Sequence, residues 1–211
     1  MTTTLYYVHD PMCSWCWGFR PALSTLIARL PSEMQIARLL GGLAPDSHAP
    51  MAAEMQEGLQ QTWRRIQARI PGTAFNFDFW TVCSPRRSTY PACRAVIAAR
   101  LQDADLGEAM TSAIQHAYYL EARNPSDRET LIALASAIGA DPDRFARAID
   151  TPETQAMLEA EMASARRMGA DSFPALVLDP GDGSRWRIPV EYSDASAMLE
   201  TIESVLGGPS P

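Results

Sequence analysis

Four cysteines lie along 211 residues, and two of them, Cys13 and Cys16, are separated only by Ser14 and Trp15. A two-residue gap lets a pair of thiols close a small disulfide ring, open it again, or ligate a metal. The run Leu5, Tyr6, Tyr7, Val8 ahead of the pair is apolar, aromatic and β-branched, which suits a buried strand. His9-Asp10-Pro11-Met12 interrupts that run, because proline lacks an N–H and restricts the residue before it. Phe19, Leu23, Leu26, Ile27 and Leu30 then recur at helical steps, and Pro21 is expected in the first turn of that helix. Cys13 is therefore expected at or just before a helix N-terminus, where unpaired N–H groups and the positive end of the helix dipole favour a thiolate. In this reading Cys13 is the exposed nucleophile, and Cys16 is the covered thiol that resolves the mixed disulfide.

The competing reading of Cys13 and Cys16 is half of a structural zinc site, which needs four ligands. Cys83 and Cys93 have nine residues between them, Pro85 and Pro91 included, so redox chemistry is preferred and no metal is expected. Those two cysteines read as a loop thiol and a small buried side chain, a second disulfide being the alternative. His9 reads as a strand-end histidine satisfied by a hydrogen bond, the alternative being a tuner of the thiolate. Asp10 reads as a turn cap, the alternative being a proton acceptor for the resolving thiol. His48 and His116 read as surface or core residues. Trp15 and Trp17 flank Cys16, one to cover the inner sulfur and the other to line an apolar substrate groove that Met12 extends. The pairs Arg64-Arg65, Arg86-Arg87 and Arg166-Arg167 read as solvated faces, any one of which is a candidate for the carboxylates of glutathione.

The formal net charge of −7 argues against general nucleic-acid binding and against attraction to an anionic membrane. Every basic residue is arginine. The first residues lack the charged and apolar pattern of a signal peptide, and no segment is long and apolar enough to span a bilayer. The expected compartment is the cytoplasm, where thiols are kept reduced and a two-cysteine motif reacts rather than staples the fold.

Elements that would hold the pair can be read on either side of it. A second apolar run over 34–40 ends at Gly41-Gly42, giving a β-α-β unit and a sheet that is at least partly parallel. Helical spacing follows over 51–70, with Met51, Met55, Leu59, Trp63, Ile66 and Ile70 on one side. The aromatic stretch 75–80 reads as a lid or packed loop. Further helices are expected over 91–101, 105–121, 128–138, 141–149 and 151–168, with Gly139 and Gly169 as stops. An apolar strand over 173–178, the turn Asp179-Pro180-Gly181-Asp182-Gly183 and a partner over 185–190 follow. A last helix is capped by Asp194 and ended by Gly207-Gly208-Pro209.

Three features together resemble the DsbA-like group of the thioredoxin superfamily, and within it the cytoplasmic FrnE-like and disulfide-isomerase proteins. They are the decapeptide from Asp10 through Cys13-Ser14-Trp15-Cys16 to Phe19, the helical block, and Ser172-Phe173-Pro174-Ala175 leading into a strand. The resemblance implies an α/β thioredoxin-like fold with a large all-helical insertion: 1–49 and 169–211 form the thioredoxin-like domain and 50–168 the insertion. It implies Cys13 as nucleophile, Cys16 as resolving thiol and Pro174 as a cis proline beside the sulfurs. Phe173 would have its backbone free to pair with an incoming peptide. Trp15, Trp17 and Met12 would complete the substrate surface. Partners would be protein or small-molecule thiols and disulfides, glutathione among them, with no cofactor. Ser14-Trp15 replaces the Pro-His of DsbA, so the cation that stabilises its thiolate is missing and a less oxidising disulfide is expected. Two further readings accompany this one. Kappa-class glutathione transferases and 2-hydroxychromene-2-carboxylate isomerases share the helix-inserted scaffold but carry serine where Cys13 stands. Some DsbA-like proteins act as adaptors that deliver partners to a protease.

Overall fold

The computed structural model describes residues 2–207. Gly208 and Pro209, expected to end the last helix, lie outside them. The first strand, β1 (Thr4–His9), leads through Pro11 into α1 (Ser14–Arg29) and then β2 (Gln35–Leu40). β1 and β2 run parallel in the register Val8↔Leu39, so α1 is the crossover that a parallel pair requires.

Six helices follow: α2 (Ala53–Arg69), the single turn α3 (Phe79–Val82), α4 (Tyr90–Arg100), α5 (Ala104–Tyr119), α6 (Arg128–Ala137) and α7 (Pro142–Ala148); α8 (Pro152–Arg167) closes the block. The chain returns as β3 (Ala175–Asp179), β4 (Trp186–Ile188) and α9 (Ala195–Gly207). β3 pairs antiparallel with β1, and β4 antiparallel with β3, giving the order β2-β1-β3-β4. This is the thioredoxin-like α/β arrangement that the sequence resemblance implies.

Strand alternation divides the core. Leu5 and Tyr7 on β1, with Leu176 and Leu178 on β3, pack against Phe19, Leu23 and Leu26 of α1 and against Met198, Leu199 and Ile202 of α9. Val8, Ala175 and Val177 point the other way, onto Ala165 of α8. At roughly 1.5–3 kcal/mol for each fully buried large apolar side chain, covering both faces is what keeps a four-stranded sheet in place. A separate cluster among the helices centres on Trp63, which is fully buried. Phe75, Phe77, Phe79 and Trp80 surround its ring at centroid distances of 4.8–6.2 Å, so the aromatic stretch is a packed loop.

Several local expectations need correction. α1 starts at Ser14, so Pro21 lies inside the helix rather than in its first turn. The missing N–H there removes one backbone bond from an otherwise regular helix. α2 starts at Ala53, two residues after Met51, and Met55 faces solvent at 43 % exposure instead of joining the core. His9 is 3 % exposed and its Nδ1 has no hydrogen-bond partner among the described residues, contrary to the expected satisfied histidine. Packing took the place of the hydrogen bond: the ring stacks on Tyr7 at 4.8 Å and 4°. The remaining caps are as expected. Asp194 accepts from Ser196 N at 2.8 Å, and Gly139 follows α6 with φ +87°.

Burial, reinforced by Arg38 and Arg100, pushes the His9 imidazole down to about 3 from an ordinary 6.5. The folded state thus holds His9 neutral while the unfolded chain protonates it below pH 6.5. The stability it contributes is full above that pH and is lost as pH falls toward 3, by at most about 1.4 kcal/mol per pH unit. Urea denaturation of wild type and His9→Phe between pH 7.5 and 5 is expected to show stability curves that diverge below about pH 6.5, wild type falling more steeply. Parallel curves would contradict a neutral His9.

Candidate active site

Cys13 is the N-cap of α1, with extended backbone (φ −79°, ψ 114°) and no side-chain cap. Its amide donates to Asp10 O at 3.0 Å, and its carbonyl accepts the first helical bond from Trp17 N at 3.0 Å. No acidic residue occupies the first turn of α1, so no carboxylate there opposes the positive helix end. All four cysteines are free thiols. Cys16, one turn on, is fully buried. Burial is the main cause that pushes its thiol well up, the nearby Cys13 sulfur adds to this, and a hydrogen bond from the Asp10 backbone pulls partly the other way.

Cys13 is not the exposed thiol that was expected: it is 6 % exposed. The Phe173 carbonyl accepts its Sγ–H at 3.5 Å, and side chains of α2 and the preceding loop roof it over. It opens instead into a cavity of about 180 Å³ shared with Met12, Trp15, Met51, Arg87 and Phe173. Three of the expected substrate-side residues, Met12, Trp15 and Phe173, therefore meet at Cys13. The Phe173–Pro174 peptide is cis, and the Phe173 carbonyl, expected to be free for a peptide, faces the Cys13 thiol. The Phe173 ring lies directly over Gly41, where a Cβ would come within 2.1 Å of it, so the end of β2 is pared to glycine to seat that ring.

Trp17 falls elsewhere. Its ring stacks on Tyr119 at 5.5 Å, its Nε1 donates to Ala74 O at 3.0 Å, and it lines a separate groove with Pro71, His116 and Tyr192. It points away from the Cys13 cavity because residues 15 and 17 of a helix diverge around the axis. Trp15 leans on Tyr192 at 5.3 Å and on Arg69 at 6.0 Å.

Asp10 is the turn cap and more. It is fully buried, with Oδ1 accepting from Met12 N at 2.8 Å and Oδ2 from Leu43 N and Thr89 Oγ1, each at 2.7 Å, and from Cys93 Sγ at 3.5 Å. Burial raises its carboxyl, and these donors offset part of the rise. Cys93 is thus a small buried side chain as expected, with a polar contact that its sequence position 83 residues away did not reveal. Cys83 donates to Ala122 O at 3.0 Å.

Of the three arginine pairs, the fold brings one to Cys13. Arg86 is engaged by Asp127 Oδ1 and Ser126 O, each at 2.5 Å. Arg87 lines the Cys13 cavity, and among the described residues no carboxylate pairs with it. Tyr7 was also missed: it lies on the α1 side of β1, with its ring 6.1 Å from that of Phe19. Strand alternation alone, which places residues 5, 7 and 9 on one face, could have put Tyr7 under α1.

Comparison with known proteins agrees with this geometry. A structure from Nitrosomonas europaea superposes with a TM-score of 0.84 at 25 % identity, covering 98 % of both chains. The cytosolic disulfide reductase DsbM of Pseudomonas aeruginosa superposes with a TM-score of 0.76 at 27 % identity, over 96 % of this chain and 99 % of DsbM, and a further DsbM structure was solved with GSH. The ClpXP adapter protein SpxH of Halalkalibacterium halodurans is 25 % identical over 209 residues, 96 % of this chain and 67 % of SpxH. The thioredoxin family model matches residues 6–198. With a match that runs from β1 into α9, the chain belongs to the thioredoxin family, in the DsbA-like branch of that fold.

Proposed function

We propose that this protein is a thiol–disulfide oxidoreductase that works on small thiols and disulfides of the glutathione type through Cys13 and Cys16. The observation that carries the reading is the placement of Cys13 at the start of α1, with Cys16 buried one turn behind it and a cavity in front. In the reductive direction the Cys13 thiolate attacks one sulfur of a substrate disulfide, that S–S bond breaks, and the substrate leaves as a thiolate. Cys16, once deprotonated, attacks Cys13 Sγ, closes the 13–16 disulfide and releases the second thiolate. Two electrons pass from the cysteine pair to the substrate, so no cofactor is needed.

The size and charge of the cavity support a small acidic substrate. A space of about 180 Å³ takes a cysteinyl group and its flanking atoms rather than a folded segment. Arg87 offers a guanidinium for a carboxylate there. Phe173 lines the same cavity, and the cis bond to Pro174 would set its place there. The likeness to a cytosolic reductase supports a cytoplasmic setting, in which the pair would be kept reduced. The division of the chain into a thioredoxin-like domain (1–49, 169–211) and a helical insertion (50–168) fits this scheme, the insertion supplying Met51 and Arg87 to the cavity.

A second reading, as an adaptor, is favoured by the likeness to SpxH over nearly the whole chain. In that case the partner surface matters and the sulfurs do not.

Glutathione-dependent reduction of 2-hydroxyethyl disulfide separates the two. Cys13→Ser is expected to abolish turnover. Arg87→Ala is expected to raise KM for glutathione about tenfold with kcat little changed, the effect of losing one hydrogen bond to a charged group. Equal rates for wild type and Cys13→Ser would remove the oxidoreductase reading and leave the adaptor.

A further inference from the structure

α1 and α5 lean on different neighbours: α1 packs on α9 and α2, and α5 on α4 and α6. Between them a half-open cleft of about 390 Å³ lies over one face of the sheet. Tyr7 and Arg38 are register partners, and His9 shares their face, so these three line the cleft from the sheet. α1 contributes Arg20, Leu23 and Ile27, and α5 contributes Ser112 and Gln115. None of these residues lines the Cys13 cavity.

The polar groups of the cleft are short of partners. His9 is buried, and its Nδ1 has no hydrogen bond among the described residues. Gln115 is 2 % exposed, and among the described residues no side-chain hydrogen bond engages its carboxamide. Arg20 donates to Ser112 Oγ at 2.9 Å and lies 5.1 Å from the centre of the Trp17 ring, but among the described residues no carboxylate pairs with it. Buried polar groups ordinarily find a partner, and several that lack one around a single hollow are what a ligand site presents.

Charge and shape narrow the ligand. Two guanidinium groups, Arg20 and Arg38, stand against one carboxylate, Glu108, so the cleft is locally positive although the chain carries −7 overall. Glu108 holds Arg38 at 3.0 Å with its own side chain 66 % exposed, and a surface pair of that kind opens at little cost. An adjoining hollow of about 520 Å³ shares His9, Arg38 and Glu108 with the cleft, but its Arg100 is paired with Glu161 and it adds Asp105, so the positive excess belongs to the cleft between α1 and α5. A neutral imidazole presents an N–H at whichever nitrogen meets an acceptor, and the Gln115 carboxamide presents two. Leu23, Ile27 and Ala28 supply an apolar side. The volume falls in the range of small-molecule sites, about 300–1,000 Å³, and a bare inorganic anion would leave most of it unfilled.

We propose that the α1–α5 cleft is a second binding site, for a small organic carboxylate. Arg20 and Arg38 take the carboxylate, the N–H groups of His9 and Gln115 complete its hydrogen bonds, and the apolar body of the ligand lies against Leu23 and Ile27. Guanidinium groups suit this task because their fixed fork of donors matches the two carboxylate oxygens. Binding here is independent of disulfide exchange at Cys13.

Fluorine NMR of 4-fluorobenzoate with the whole chain tests this, together with the nitrogen resonances of the His9 ring and the Gln115 side chain. Wild type is expected to bind the probe saturably and to shift both sets of resonances. Arg20→Gln is expected to weaken binding at least about tenfold, the scale of losing a hydrogen bond to a charged group. Glu108→Gln, which removes the competitor for Arg38, is expected to tighten it. Arg20 also borders the groove of Trp17, so Thr111→Phe, which fills the α1–α5 cleft alone, decides between the two hollows and is expected to abolish binding. The shifts at His9 and Gln115 place the probe independently of any variant. Binding that survives Thr111→Phe, equal binding of the neutral 4-fluorobenzamide, or displacement by an equal concentration of inorganic phosphate overturns the proposal. So does a wild type with no saturable binding, or with no shift at His9 and Gln115.

Discussion

One buried carboxylate ties the site together. Asp10 sits where β1 gives way to the cysteine turn, and its oxygens accept from the turn itself (Met12 N), the loop after β2 (Leu43 N) and α4 (Thr89 and Cys93). A carboxylate taken fully out of water is costly unless every lone pair is used, and here the donors come from three separate parts of the chain. The cost of leaving any of them out fixes the angle at which the sheet, the cysteine turn and the helical block meet. Thr89 Oγ1 extends the same contact, accepting from Ala44 N at 3.0 Å. The carbonyl of Asp10 accepts from Cys13 N, so the side chain and backbone of one residue both hold the cysteine turn.

From that anchor the two sulfurs acquire different characters. Cys13 takes the helix N-cap, where backbone N–H groups converge, and opens onto a small cavity. Cys16 is one turn deeper, with no solvent contact, and its thiol is pushed up by the loss of water. The difference is positional rather than chemical: two identical side chains, three residues apart, one at a helix end and one under it. Trp63 reinforces the division, since its Nε1 donates to Ser14 Oγ at 3.0 Å and brings α2 down over the first turn of α1.

Much of this was legible in the chain. The apolar run Leu5 to Val8, the break at Pro11 and the helical steps after Phe19 located Cys13 at a helix start, and local pattern suffices for local structure. Phe173-Pro174 and the Gly-rich turn after β3 marked the return of the sheet. What pattern did not reveal was contact across long separations. The roof over Cys13, the choice of Arg87 among six paired arginines, and the Cys93–Asp10 hydrogen bond all depend on how the helices close over β2, which no local window encodes. Met55 and His9 misled for a related reason. Each had a plausible local role, and tertiary packing exposed the first and stacked the second.

The central claim is that Cys13 and Cys16 interconvert between dithiol and disulfide. Equilibration of the protein with glutathione buffers, read by fluorescence of Trp15 and Trp17 beside the pair, tests it directly. The account predicts one reversible two-electron transition, lost in Cys16→Ser, at a potential more reducing than the roughly −120 mV of DsbA. A signal that does not change with the buffer, or a transition that persists in Cys16→Ser, would contradict it.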